Sequence, residues 1–226
     1  MTLAGLLISV LSIAGIDAPQ SASLVSFPTQ DGGTIYANSY GYGAHAVVLG
    51  SNGCGAKESW EPQAQRLVAE GFKALAIDFR GQGQSHGGPQ SKADDYHLDV
   101  LAAVRYLYLA STRVSVIGAS CAGDAAAQAS VDARPGEIES IILLAHGGIE
   151  HPELTKGRKL FVVARDDANT AGVRLPKIQA QYEKTPEPKE LLILDGSAHA
   201  QRIFETEQGE RLMREILRFL AARDDQ

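Results

Sequence analysis

The residues best suited to covalent chemistry lie where apolar runs give way to short turns of small and polar residues. The run Val114-Ser115-Val116-Ile117 leads into Gly118-Ala119-Ser120-Cys121-Ala122-Gly123, so Ser120 stands in a Gly-x-Ser-x-small turn ahead of an alanine-rich stretch. A serine hydroxyl attacks poorly at neutral pH unless a base takes its proton and a third group orients that base. Two later turns offer those partners. Arg165-Asp166-Asp167 follows the run 160–164, and Asp195-Gly196-Ser197-Ala198-His199 follows the run 191–194. The expected chemistry is acyl transfer through a nucleophilic Ser120, a basic His199 and an orienting acid from the Asp166-Asp167 pair. Asp166 competes for the acid's role, and Glu150 and Glu153 are more distant competitors. Each residue alone would read as an ordinary turn residue; their shared position after a strand end carries the inference.

Those turns need strands to hold them. Apolar runs at 46–49, 73–78, 114–118, 140–145, 159–164 and 190–194 suit strands buried on both faces. Two earlier runs, 24–27 and 34–40, flank Asp31-Gly32-Gly33 and predict an opening antiparallel hairpin. Helical spacing is found at 62–70, 94–109, 121–131, 173–182 and 203–222, the last with the stripe Leu212, Met213, Ile216, Leu217, Leu220. Strands alternating with helices predict an α/β fold, a mostly parallel central sheet with helices on both faces and a ligand site beyond the carboxyl ends of its strands. From His146 to Lys159 the chain passes almost directly from one strand to the next, which leaves no room for a cap domain and predicts an open site.

With these residues in view, the sequence resembles the α/β-hydrolases. Gly118-x-Ser120-x-Ala122-Gly123 resembles their nucleophile elbow, the chain order Ser120, Asp167, His199 is theirs, and Gly196-x-x-His199 resembles their histidine loop. Asp167 matches the acidic residue of the family's Gly-x-x-Asp turn, with Ala164 in place of the glycine. Gly50-Ser51-Asn52-Gly53-Cys54-Gly55 takes the position of the family's His-Gly loop, with Asn52 replacing the histidine. The resemblance implies an oxyanion hole made by the backbone N–H groups of Cys54 and Cys121. Two amides aimed at one oxygen would also bring those cysteines' α-carbons toward the ~4.4–6.8 Å at which a disulfide forms. Asp78-x-Arg80-Gly81-x-Gly83-x-Ser85 matches a further family segment to which no catalytic role is given. The resemblance spans about 23–226 and implies a small, lidless serine hydrolase like the dienelactone hydrolases and esterases. Because dienelactone hydrolases use cysteine as nucleophile, and Ala119-x-Cys121-x-Gly123 also fits the elbow, Cys121 is a rival to Ser120.

Composition narrows the partners. At 44% apolar and 21% charged residues the chain can bury one ordinary core. Its 21 Lys and Arg against 27 Asp and Glu give a net charge of −6, and no Lys or Arg precedes Lys57, which argues against nucleic acid as partner. Cys54 and Cys121 are the only thiols, too few for a four-cysteine zinc site. His146, His151 and Glu150 lack a metal-ligand pattern, so neither metal nor cofactor is expected. His146 and Asn52 are candidates for the substrate pocket. The apolar segment 3–16 is shorter than the ~20 residues of a membrane span. It has the length of a signal peptide's core, with small residues at Ser21-Ala22-Ser23 for cleavage but no basic start, so export is open and the domain is expected from 23 onward. The expected substrate is a small ester. An aminopeptidase or amide hydrolase, an acyltransferase and a non-catalytic binding protein on the same fold are the alternatives.

Overall fold

The computed structural model describes residues 21–51, 53 and 55–222. The leader-like segment expected at 1–22 therefore lies almost wholly outside the described residues. A hairpin opens the domain: β1 (Ser23–Pro28) pairs antiparallel with β2 (Thr34–Tyr40). Then follow β3 (His45–Gly50), α1 (Glu61–Ala69), β4 (Lys73–Ile77), α2 (Tyr96–Tyr108), β5 (Arg113–Ala119), α3 (Cys121–Asp132), β6 (Ser140–Leu144) and β7 (Arg158–Ala164). A two-residue hairpin, β8 (Ala168–Asn169) and β9 (Gly172–Val173), precedes α4 (Leu175–Lys184), β10 (Lys189–Leu194) and α5 (Gly209–Ala221). Eight strands form one sheet in the order β1-β2-β4-β3-β5-β6-β7-β10, parallel from β4 through β10.

The strands β3, β5, β6 and β7 read as unbroken apolar runs because helices cover both of their faces. On one face Val48, Val116, Leu143 and Phe161 pack under α2, α3 and α4; on the other Leu49, Ile117, Leu144 and Val162 pack under α1 and α5. Period-two alternation sends successive residues to opposite layers, and both layers are apolar. From β3 the order steps to β4 on one side and to β5 on the other, which opens a crevice beyond the strands' carboxyl ends at that switch.

Two helices differ from expectation for local reasons. The helix expected at 173–182 begins at Leu175, because Gly172 and Val173 pair back onto Asn169 and Ala168. The helix expected at 203–222 is divided: a 3-10 turn spans Ala200–Glu205 and α5 starts only at Gly209. Thr206 makes the break, its hydroxyl accepting the Gln208 N–H at 3.2 Å and its carbonyl the Gly209 N–H at 2.9 Å. Between β6 and β7 there is a single 3-10 turn, Pro152–Leu154, and no cap.

The Asp-x-Arg-Gly segment after β4 is a buried tie. Arg80, 4% exposed, donates to the fully buried Asp99 of α2 through its main-chain N–H and Nε at 2.9 Å each and through a terminal nitrogen at 2.7 Å. It also donates to Asp31 in the opening hairpin at 2.9 Å. Asp78 meanwhile accepts from Lys57, from its main chain at 2.8 Å and its ammonium at 2.7 Å. The segment thus joins hairpin, crossover and helix through the buried charges of Asp78, Arg80 and Asp99 and their partly exposed partners Asp31 and Lys57. Removing Asp99 takes away three of Arg80's contacts and leaves the buried guanidinium with Asp31 as its remaining anion. Asp99→Ala is expected to cost about 3–5 kcal/mol of unfolding free energy by denaturant titration, and a loss under about 1 kcal/mol would refute this role.

Candidate active site

Ser120 sits at φ +56°, ψ −122°, between the last residue of β5 and the first of α3. Few non-glycine residues tolerate such a backbone, and the surroundings hold it. The Ser120 N–H donates to the Leu144 carbonyl at 2.9 Å, while the Ser120 carbonyl accepts the Gly123 N–H at 2.8 Å. A methyl group on Gly118 would lie 2.2 Å from the Ala122 carbonyl oxygen, so strand and helix touch there backbone to backbone. The turn therefore requires small residues on both sides, and its reversal lifts the Ser120 side chain to the sheet's rim.

Asp167 follows β7 and is 1% exposed, whereas Asp166, Glu150 and Glu153, its competitors in the sequence, are exposed. His199 follows β10 and leads into the 3-10 turn. Its Nδ1 lies 2.7 Å from Asp167 Oδ2 and its Nε2 lies 3.0 Å from Ser120 Oγ. A neutral imidazole with its proton on Nδ1 satisfies both contacts, donating to the carboxylate and accepting from the hydroxyl. Hydroxyl, imidazole and carboxylate, from three separate loops, form one continuous hydrogen-bonded chain. Such a chain can move a proton off the serine as the oxygen forms a new bond.

Cys121 opens α3, whose first-turn amides form the positive end of the helix. The other expected oxyanion donor, Cys54, and the pocket candidate Asn52 lie outside the described residues. A cleft of about 360 Å³ adjoins the elbow, walled by Cys121, Asp124, Ala125 and Gln128 of α3, by Tyr96 of α2 and by Ile149 after β6. The positions 121, 124, 125 and 128 share one face of a helix, a spacing that was available in the sequence as a pointer to this wall. Asp124, not singled out by its sequence, anchors the opposite loop by accepting the Gly148 N–H at 2.8 Å. Burial pushes its carboxyl up against the pull of that bond.

His146 departs from its expected place. It is 1% exposed and is absent from the cleft's wall, its Nε2 lying 2.9 Å from Gln181 Oε1 and its ring standing edge-on to Phe161. The strand end turns the side chain under the rim, where it packs beneath Gly123. His151 is half exposed on its side chain and sits between Glu150 and Glu153. No group of three metal-ligating side chains occurs among the described residues.

Burial holds the His146 imidazole down at about 4, against an ordinary value near 6.5. The folded state thus keeps it neutral where the unfolded chain takes a proton, so its contribution is full above pH 6.5 and is lost as pH falls toward 4. That loss is about 3 kcal/mol. His146→Gln is expected to flatten the dependence of unfolding free energy on pH between 6.5 and 4 by a comparable amount. Parallel curves for variant and parent would contradict it.

Known proteins similar to this chain bear on its family and fold. The family model described as "Serine aminopeptidase, S33" matches residues 43–200. The chain is 28% identical over 137 residues to BpoC of Mycobacterium tuberculosis, which is provisionally named a non-heme bromoperoxidase. That match takes in 60% of this chain and 49% of BpoC, so the chain covers about half the length of this curated relative. Among solved structures, the Pyrococcus furiosus esterase Pf2001 superposes with a TM-score of 0.73 at 18% identity, covering 98% of this chain and 100% of its own. The Exiguobacterium antarcticum esterase EaEST superposes at 0.71 and 14% identity over 87% and 99% of the two chains. Hypothetical protein PA2218 of Pseudomonas aeruginosa does so at 0.74 and 17% over 96% and 99%. At these identities the superpositions speak to the fold.

Proposed function

The chain belongs to the serine aminopeptidase S33 family of α/β-hydrolases, and we propose that within it this protein hydrolyses carboxylic esters, or similarly activated acyl groups, through a Ser120-His199-Asp167 triad. The observation that carries the reading is the unbroken contact from Ser120 Oγ to His199 Nε2 at 3.0 Å and from His199 Nδ1 to Asp167 at 2.7 Å. In the first half-reaction Ser120 Oγ bonds to the acyl carbon as its proton passes to His199 Nε2. Asp167 keeps the ring oriented and stabilises the imidazolium. The carbonyl electrons move onto oxygen, and the backbone N–H groups assigned to Cys121 and Cys54 donate hydrogen bonds to this oxyanion, each worth about 2.7–4 kcal/mol of barrier. Collapse of this intermediate expels the alcohol, which takes the proton from His199. Water then attacks the acyl-serine with His199 as base, releasing the acid and restoring Ser120. No step calls for a cofactor.

Ester cleavage is favoured over amide cleavage by the open approach to Ser120. Amide substrates have poorer leaving groups and gain more from being clamped, and the single 3-10 turn between β6 and β7 forms no clamp. The cleft of about 360 Å³ reaches the elbow at Cys121 and is not lined by Ser120 or His199; taken as the acyl site, it lies toward the small end of ligand sites, roughly 300–1,000 Å³, which suits short acyl chains.

Nitrophenyl acetate and butyrate should turn over faster than the decanoate. Ser120→Ala should lose both this activity and fluorophosphonate labelling, and Asp167→Asn should lower kcat by about 10³–10⁴-fold. The ester reading fails if aminoacyl nitroanilides are cleaved faster than the esters. Activity that survives Ser120→Ala but is stopped by thiol alkylation transfers the nucleophile's role to Cys121.

A further inference from the structure

Asp167 has two carboxylate oxygens, and the triad accounts for one. Oδ2 faces His199; Oδ1 lies 3.4 Å from Nε of Arg174, with side-chain exposures of 2% for the acid and 20% for the arginine. The arginine is seven positions further along the chain and meets Asp167 only because the intervening segment doubles back. Ala168 pairs with Val173 and Asn169 with Gly172, and the Arg174 N–H closes the hairpin's base by donating to the Asp167 carbonyl at 2.8 Å. All four paired hairpin residues are exposed, so β8 and β9 add little to the core. Their structural consequence is to seat a guanidinium against the acid of the triad.

On the Ser120-His199-Asp167 reading, we propose that Arg174 is a positioning residue that holds the Asp167 carboxylate toward His199 and offsets its charge. At 3.4 Å the contact is longer than a good hydrogen bond, so it acts through charge. An unopposed carboxylate would attract the imidazolium more strongly and so favour the ring form that cannot act as a base. The other charged and titratable groups around this pair are placed differently. Lys177 on α4 acts with Arg174 on Asp124 of α3 and on His146 beneath it. Arg165 and Asp195, on the two flanking loops, face each other at 3.7 Å. Asp166 and Arg202 are exposed, and Cys121 borders the cleft. Arg174 is thus the cation in direct contact with the Asp167 carboxylate among the described ion pairs.

The test is the pH profile of kcat/KM for nitrophenyl acetate in the parent, Arg174→Gln and Arg174→Lys, with folding checked by circular dichroism. The neutral variant should move the acid limb upward by about half to one pH unit and lower kcat roughly three- to tenfold, with KM little changed. Arg174→Lys, which keeps the charge, should return the limb to near its parental position. The proposal is overturned if a folded Arg174→Gln leaves the limb in place, or if lysine shifts it as far as glutamine does. Arg174→Met replaces the glutamine variant if the latter does not fold; if neither neutral variant folds, Arg174 serves stability and the proposal falls. Failure of the triad reading looks different, since the parent itself would then show no fluorophosphonate labelling at Ser120.

Discussion

Everything at the rim depends on one close approach, that of the β5 backbone to the α3 backbone at Gly118 and Ala122. With 2.2 Å between a hypothetical Gly118 methyl and the Ala122 carbonyl oxygen, no larger residue fits without separating strand from helix. That contact allows the chain to reverse within a single residue. Ser120 absorbs the reversal at positive φ, at a cost of about 1–3 kcal/mol that packing on both sides must offset. The offset comes from elements formed for other reasons: the parallel pairing of β5 with β6, which supplies the Leu144 carbonyl, and the alanine-rich face of α3 buried against the sheet. Strain at Ser120 is therefore sustained by the same core that makes the domain stable.

The sheet's two ends divide the work. At the carboxyl ends the loops carry the hydroxyl and the imidazole, both partly open to solvent, and the buried acid. At the amino ends a second polar array is buried and makes no cleft. His45 at the head of β3 contacts Ser115 of β5 at 2.8 Å, which contacts Ser140 of β6 at 2.7 Å. Arg113 pairs with Glu139 nearby, and Arg158 donates to the carbonyls that end α5. Burial and the neighbouring Arg113 hold the His45 imidazole low, at about 4, so it serves this array uncharged. Polar groups at this end tie strand heads together; those at the other end include a hydroxyl and an imidazole that solvent reaches.

How much of this was legible follows from how local each signal is. Strands covered on both faces produce apolar runs, which is why 114–118 and 159–164 anticipate Arg113–Ala119 and Arg158–Ala164 to within a residue. Ser120, Asp167 and His199 could be read because each stands directly after such a run. His146 stands after one too, yet its side chain turns beneath the rim, a choice of rotamer and packing that spacing along the chain does not encode. Arg174 was invisible for another reason. Its place beside Asp167 depends on a two-residue hairpin whose strands are too short to leave a periodic pattern. The split between residues 203 and 222 was hidden because an apolar stripe at helical spacing outweighs a single threonine that bonds back to its own chain.

Serine and cysteine stand side by side at the elbow, and the backbone separates their roles. The residue at the apex of the reversal is the one whose side chain points away from both strand and helix, and that residue is Ser120, whose Oγ meets His199 at 3.0 Å. One position later the chain already has helical geometry, so the Cys121 side chain lies along the flank of α3, where it forms part of the cleft wall with Asp124, Ala125 and Gln128. A thiol there borders the cleft beside the elbow. What brings Ser120, and not its neighbour, to the apex is thus the point at which the chain turns, and that point is fixed by Gly118, two residues earlier.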